Sequence, residues 1–112
     1  MASKFKVSES PDCEDLAIRW QSHQVDLLNS ALRSAGVTDQ QTRREILEEF
    51  FFSMATMFDG SSSGVEFEER DYRPRLVFED PTKPGEILVS DAYDLHDYTH
   101  SDIAAVLAEE SE

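Results

Sequence analysis

The apolar residues of this chain recur at helical spacing as far as Phe58 and then alternate from Val65 onward. The change falls at Gly-Ser-Ser-Ser-Gly, positions 60–64, a composition that reads as a loop. A chain that changes period once in this way segregates its helices from its strands, which makes the fold α+β. Its 112 residues suit one domain with a single core.

Two helices precede the loop. The first is announced by Ser10, a cap residue, by Pro11, and by Asp12, Glu14 and Asp15 in the opening turn. Cys13, Leu16, Ala17, Trp20, Leu27, Leu28, Ala31 and Ala35 form its main apolar stripe, with Ile18, Val25 and Leu32 in a second row. Gly36 ends it. Thr38 and Gln41 then read as a capping box for a second helix running to about Phe58. The short connection predicts an antiparallel helical hairpin. The second helix is expected to bury Ile46, Leu47, Phe50, Met54, Met57 and Phe58. Phe52 lies roughly 200° from Phe50 around the axis, among Glu45, Glu48 and Glu49.

Three strand patterns follow, at Val65–Glu69, Arg75–Glu79 and Glu86–Ser90, the last two joined by a wide Pro- and Gly-containing loop. A final helix begins near Thr99 or Ser101 and carries Ile103, Ala104, Val106 and Leu107. Glu109, Glu110 and Glu112 at its end oppose the helix dipole, so its last turn should fray. The expected architecture is an αα hairpin on a three-stranded antiparallel sheet with a short C-terminal helix, order ααβββα. Residues 1–9 are read as a flexible tail and 10–112 as one acidic domain.

Charge narrows the function classes. The net charge is −14, from 24 acidic and 10 basic residues, and positions 91–112 hold seven acids with no Lys or Arg. Such a field repels nucleic acid and anionic membranes and attracts basic proteins or metal cations. The cluster Arg70-Asp71-Tyr72-Arg73-Pro74-Arg75 interleaves arginines with an aromatic, but three arginines in this field cannot supply the affinity that a polyanion needs. No apolar run approaches a membrane span, and no apolar segment of a signal peptide follows the N-terminal lysines. A lone Cys13 cannot close an intramolecular disulfide, and a cytoplasmic, reducing compartment is expected.

No phosphate-binding loop, nucleophile elbow or calcium-loop pattern is present. His96-Asp97-Tyr98-Thr99-His100 has the spacing of a zinc-protease helix with Asp in place of Glu, so His96, His100 and Asp97 are candidate ligands for a divalent metal such as zinc. Thr99 looks like a helix cap inside that motif, which weakens it. The stronger signal is Phe50-Phe51-Phe52, which spreads aromatics around more than half of the second helix. The sequence therefore predicts a non-enzymatic interaction module or inhibitor, of the immunity or antitoxin kind, that binds a basic protein. Its surface is expected at Phe52, Glu45, Glu48 and Glu49, with Asp91, Asp94 and Asp97 as further acids. A homodimer through Phe52, and a metal-binding protein or metal-dependent hydrolase built on His96 and His100, are the alternatives.

Overall fold

The computed structural model describes residues 5–62, 64–89 and 93–110. Its elements are β1 (Lys6–Glu9), α1 (Cys13–Ser34), α2 (Gln40–Phe58), β2 (Val65–Phe67), β3 (Arg70–Tyr72), β4 (Phe78–Glu79), β5 (Glu86–Val89), a 3-10 turn (Leu95–Tyr98) and α3 (Thr99–Glu109). The fold is α+β, with one short strand ahead of two helices, the other strands next and a helix last. No helix among the described residues is long and apolar enough to cross a membrane.

The connection between the first two helices is set by Gly36. At φ +96° it adopts a left-handed conformation that a side chain would strain. There the Val37 amide donates to Leu32 O at 2.9 Å and the Gly36 amide to Arg33 O at 3.1 Å, a Schellman closure of α1. The start of α2 lies one residue later than the capping box implied. Asp39, not Thr38, is the cap, accepting from the Thr42 amide at 3.0 Å.

The helical hairpin closes on α3. Val25 of α1, Leu47 and Phe51 of α2, and Ile103, Val106 and Leu107 of α3 form one buried cluster. Full burial of side chains this size contributes about 1.5–3 kcal/mol each. A second cluster joins Ala17, Ala55 and Leu95, and the sheet region reaches it through Leu76 and Phe78.

Buried polar groups tie the same helices together. Thr99 Oγ1 donates to Gln21 Oε1 at 3.1 Å, and Gln21 Nε2 donates to Asp102 Oδ2 at 2.9 Å. Burial pushes the Asp102 carboxyl above its usual range, against the lowering effect of that Gln21 bond. Arg43 occupies the junction of all three helices. It donates through Nε to Asn29 Oδ1 at 2.9 Å, through Nη1 to Val37 O at 2.8 Å, and through Nη2 to Glu110 Oε1. Asn29 Nδ2 donates to the other oxygen of Glu110. The expected fraying therefore stops short of Glu110, whose carboxylate is fixed from two helices; residues 111–112 lie outside the described structure.

The strands differ from expectation in three ways. Lys6–Glu9, read as tail, is β1 and pairs in parallel with β5, Val7 opposite Ile87 and Glu9 opposite Val89. The three-stranded sheet is thus mixed, in the order β1-β5-β4, with β4 antiparallel to β5. Ile87 and Leu88 make both faces of β5 apolar, and its second edge is satisfied by a strand from the far end of the chain. Finally, Val65–Glu69 does not enter this sheet. Val65–Phe67 instead folds back on Arg70–Tyr72, across Glu68 and Glu69 at φ 50° and 63°. Two consecutive left-handed residues make the tight turn that matches strand twist. Gly64 begins this hairpin, because a Cβ there would lie 2.1 Å from Tyr72 O.

Candidate functional site

α2 is the element on which the candidate residues converge. Its buried line is Arg43, Leu47, Phe51 and Ala55, four residues apart. The expected stripe is thus turned toward Phe51, and Ile46 and Phe50 are left 37% and 45% exposed. The cause is α3, which supplies Ile103, Val106 and Leu107 on the Phe51 side. Phe52 emerges at the far margin of that contact and is 42% exposed.

Phe52 does not stand alone. The His96 ring meets it edge-on, with centroids 5.7 Å apart and planes at 84°, and the His100 ring stacks on it at 6.2 Å and 27°. One aromatic of α2 is therefore held between two imidazoles from the C-terminal segment. Of the acids expected around Phe52, Glu48 meets one of these imidazoles. Glu48 Oε1 lies 4.0 Å from His100 Nδ1 and 3.8 Å from Arg44 Nη1. Glu45 accepts from Gln41 Nε2 at 3.3 Å, and Asp97 Oδ1 is 3.4 Å from His96 Nε2. Glu49 is exposed on the outer face of α2, and Asp91 lies outside the described residues.

His96 is fixed from behind by Asp59, which the sequence reading treated only as a helix stop. Asp59 follows the last turn of α2, and its side chain has no solvent exposure. Its Oδ2 accepts from the His96 backbone amide at 3.1 Å and from His96 Nδ1 at 2.5 Å, while Oδ1 accepts from the Ser61 amide at 3.0 Å. Burial would raise the Asp59 carboxyl, but the bonds from Ser61 and His96 outweigh it and hold the group below its usual range. The Asp59 hydrogen bond raises the pKa of His96 above its ordinary value, against a smaller desolvation effect, and Asp97 and Asp94 add to the rise.

The metal set expected from the sequence does not assemble. His96, His100 and Asp97 are not the donors that converge, because Leu95–Tyr98 is a 3-10 turn and α3 starts only at Thr99. The spacing of four residues consequently does not place both imidazoles on one continuous helix. Among the described residues, the group whose donor atoms lie within 4.8 Å of one another is Asp59, Asp94 and His96. Only a contact between the end of α2 and the 3-10 turn brings these together, so no local motif could have announced them.

No family model, no curated protein and no solved structure matches this chain.

Proposed function

We propose that this chain is a non-enzymatic binding module, an inhibitor in the broad sense, that presents α2 to a basic protein partner in the cytoplasm. The observation that supports this most is Phe52: a large aromatic left 42% exposed, buttressed by two imidazoles that Glu48 and Asp97 border. A rigid aromatic within an acidic rim is the anatomy of a binding hot spot for a cationic surface. The net charge of −14 steers such a partner in, and apolar contact holds it. A homodimer through the same face would press two chains of that charge together, which electrostatic repulsion opposes.

The test is capture of basic proteins from lysate on the immobilised chain, followed by binding kinetics on the purified partner. Phe52→Asp should weaken the complex by about tenfold or more. Added salt should slow association more than it speeds dissociation. A Phe52→Asp variant that binds the same partners at unchanged affinity removes this reading.

A second reading rests on the convergence of Asp59, Asp94 and His96. Two carboxylates and one imidazole suit zinc and leave coordination positions for water. Zinc would compete with the proton on His96, so binding should strengthen as pH rises from about 6 to 8. Calorimetric titration with zinc should show heat that Asp94→Asn reduces. A heatless titration, with a melting temperature indifferent to chelator, disposes of the metal.

A further inference from the structure

The flank of α2 opposite Phe52 carries an apolar groove of about 630 Å³, lined by Ile46, Phe50, Met54, Met57 and Phe58 with Glu49 on its rim. Resting on the reading of this chain as a module for basic partners, we propose that this groove receives a basic amphipathic helix of the partner.

Shape, precedent and charge support that occupant. From Ile46 to Phe58 the groove follows α2 for about 18 Å, the length of three helical turns. Its far end is closed by Phe58, against which Trp20 of α1 packs edge-on at 5.7 Å. The lining comes from α2 alone, an unpartnered apolar helix face on which a second rod can lie with anchors at i, i+4 and i+7. Met54 and Met57 give it an adaptable floor.

The chain already seats one such helix on the other flank. There α3 lays Ile103, Val106 and Leu107 against Leu47 and Phe51, and an ion pair between Arg43 and Glu110 pins its end. On the groove side the charged rim belongs to the receiving helix, and it is Glu49. The incoming helix must therefore bring the cations. A second copy, itself at −14, lacks that complementarity.

The probe is a synthetic helical peptide of leucine and lysine only, with leucines at i, i+4 and i+7. Its controls are an isomer of the same composition with alternating leucines, and a leucine–glutamate version of the helical design. Binding is read by calorimetry and by the emission of Trp20, the only tryptophan in the chain. The helical basic peptide should bind about tenfold or more tighter than its isomer and shift Trp20 emission. Phe50→Ser, at a position 45% exposed and so compatible with folding, should abolish that advantage, whereas Phe52→Ser should leave it intact.

Equal binding of both basic isomers with no effect of Phe50→Ser overturns the groove and leaves the basic-partner reading standing. Failure of both basic isomers to bind likewise overturns the groove, and the Phe52→Asp kinetics on a captured partner then decide the basic-partner reading by themselves. Comparable binding of the leucine–glutamate peptide overturns the basic character of the occupant. A dimer in sedimentation that Phe50→Ser dissociates assigns the groove to a second copy instead.

Discussion

Arg43→Met should lower the unfolding free energy by about 3–5 kcal/mol, the usual cost of removing one partner from a buried ion pair. Arg43 is 3% exposed, and the side chain of Glu110 is 14% exposed. Met fills much of the volume but donates nothing. It would leave Asn29 Oδ1 and Val37 O without their donor and a half-desolvated carboxylate held by Asn29 alone. Exchanging the pair together, Arg43→Met with Glu110→Leu, should recover part of the loss, because no charge is then left buried.

The acid limb carries a second signature. The Asn29 hydrogen bond, aided by Arg43 and Arg33 and opposed by desolvation, holds the Glu110 carboxyl below its usual range. A carboxyl lowered on folding contributes stability above its unfolded pKa and loses it as pH falls through the folded value. That loss should be shallower in Arg43→Met. Urea unfolding of both single variants and the double, followed by circular dichroism across the acid range, measures all of this. A single variant within about 1 kcal/mol of wild type means that the junction is not holding the helices.

The Arg43 junction also shows where sequence reading stops. The change of period at the Gly-Ser loop, the closure of α1 at Gly36 and the span of α2 were legible because each is encoded within a few neighbouring residues. Gln21, Asn29 and Arg43 were not, although they lie in the core lines of α1 and α2. Apolar periodicity passes over polar residues, and the groups that justify their burial, Thr99, Asp102 and Glu110, stand at the other end of the chain. The parallel strand β1 was missed for a related reason. Lys6–Glu9 has weak alternation of its own and is specified by the free edge of β5, some eighty positions away.

The candidate site was legible in pieces. Phe52 stood out by its angle on α2, and His96 and His100 by their spacing. That these are one cluster depends on the 3-10 turn docking at the end of α2, a tertiary contact with no local pattern. The buried Asp59 was hidden for the opposite reason. Asp-Gly after a helix is so strong a turn signal that it accounts for the residue without any further role.

Asp59 is where the second large effect is expected. Asp59→Asn preserves shape and an acceptor but removes the charge, and it should cost about 1.5–3 kcal/mol near neutral pH, the range for hydrogen bonds to charged groups. The sign of the pH dependence follows from the two shifts. His96 has a raised pKa in the folded chain, so its contribution is complete below its unfolded value, about 6.5, and is lost as pH rises through the folded value. Asp59 has a lowered pKa, so its contribution holds above about 3.9 and is lost as pH falls through the folded value. Wild type should thus show a plateau with a loss on each side, and Asp59→Asn should flatten both, keeping the acid loss that Glu110 contributes and the weaker pull of Asp97 and Asp94 on His96. Among the described residues, Asp59, Asp97 and Asp94 act on the His96 imidazole in the same sense, each favouring its protonated form, and the ring of Phe52 meets it edge-on. The imidazole proton shifts of His96 across the pH range, with urea unfolding of wild type and variant, test the assignment. A His96 that titrates at or below its ordinary value, or a stability difference flat in pH, refutes it. Because the same imidazole meets Phe52 edge-on, the charge on Asp59 also fixes the posture of the exposed aromatic. Asp59→Asn should weaken partner binding most where His96 is protonated in wild type.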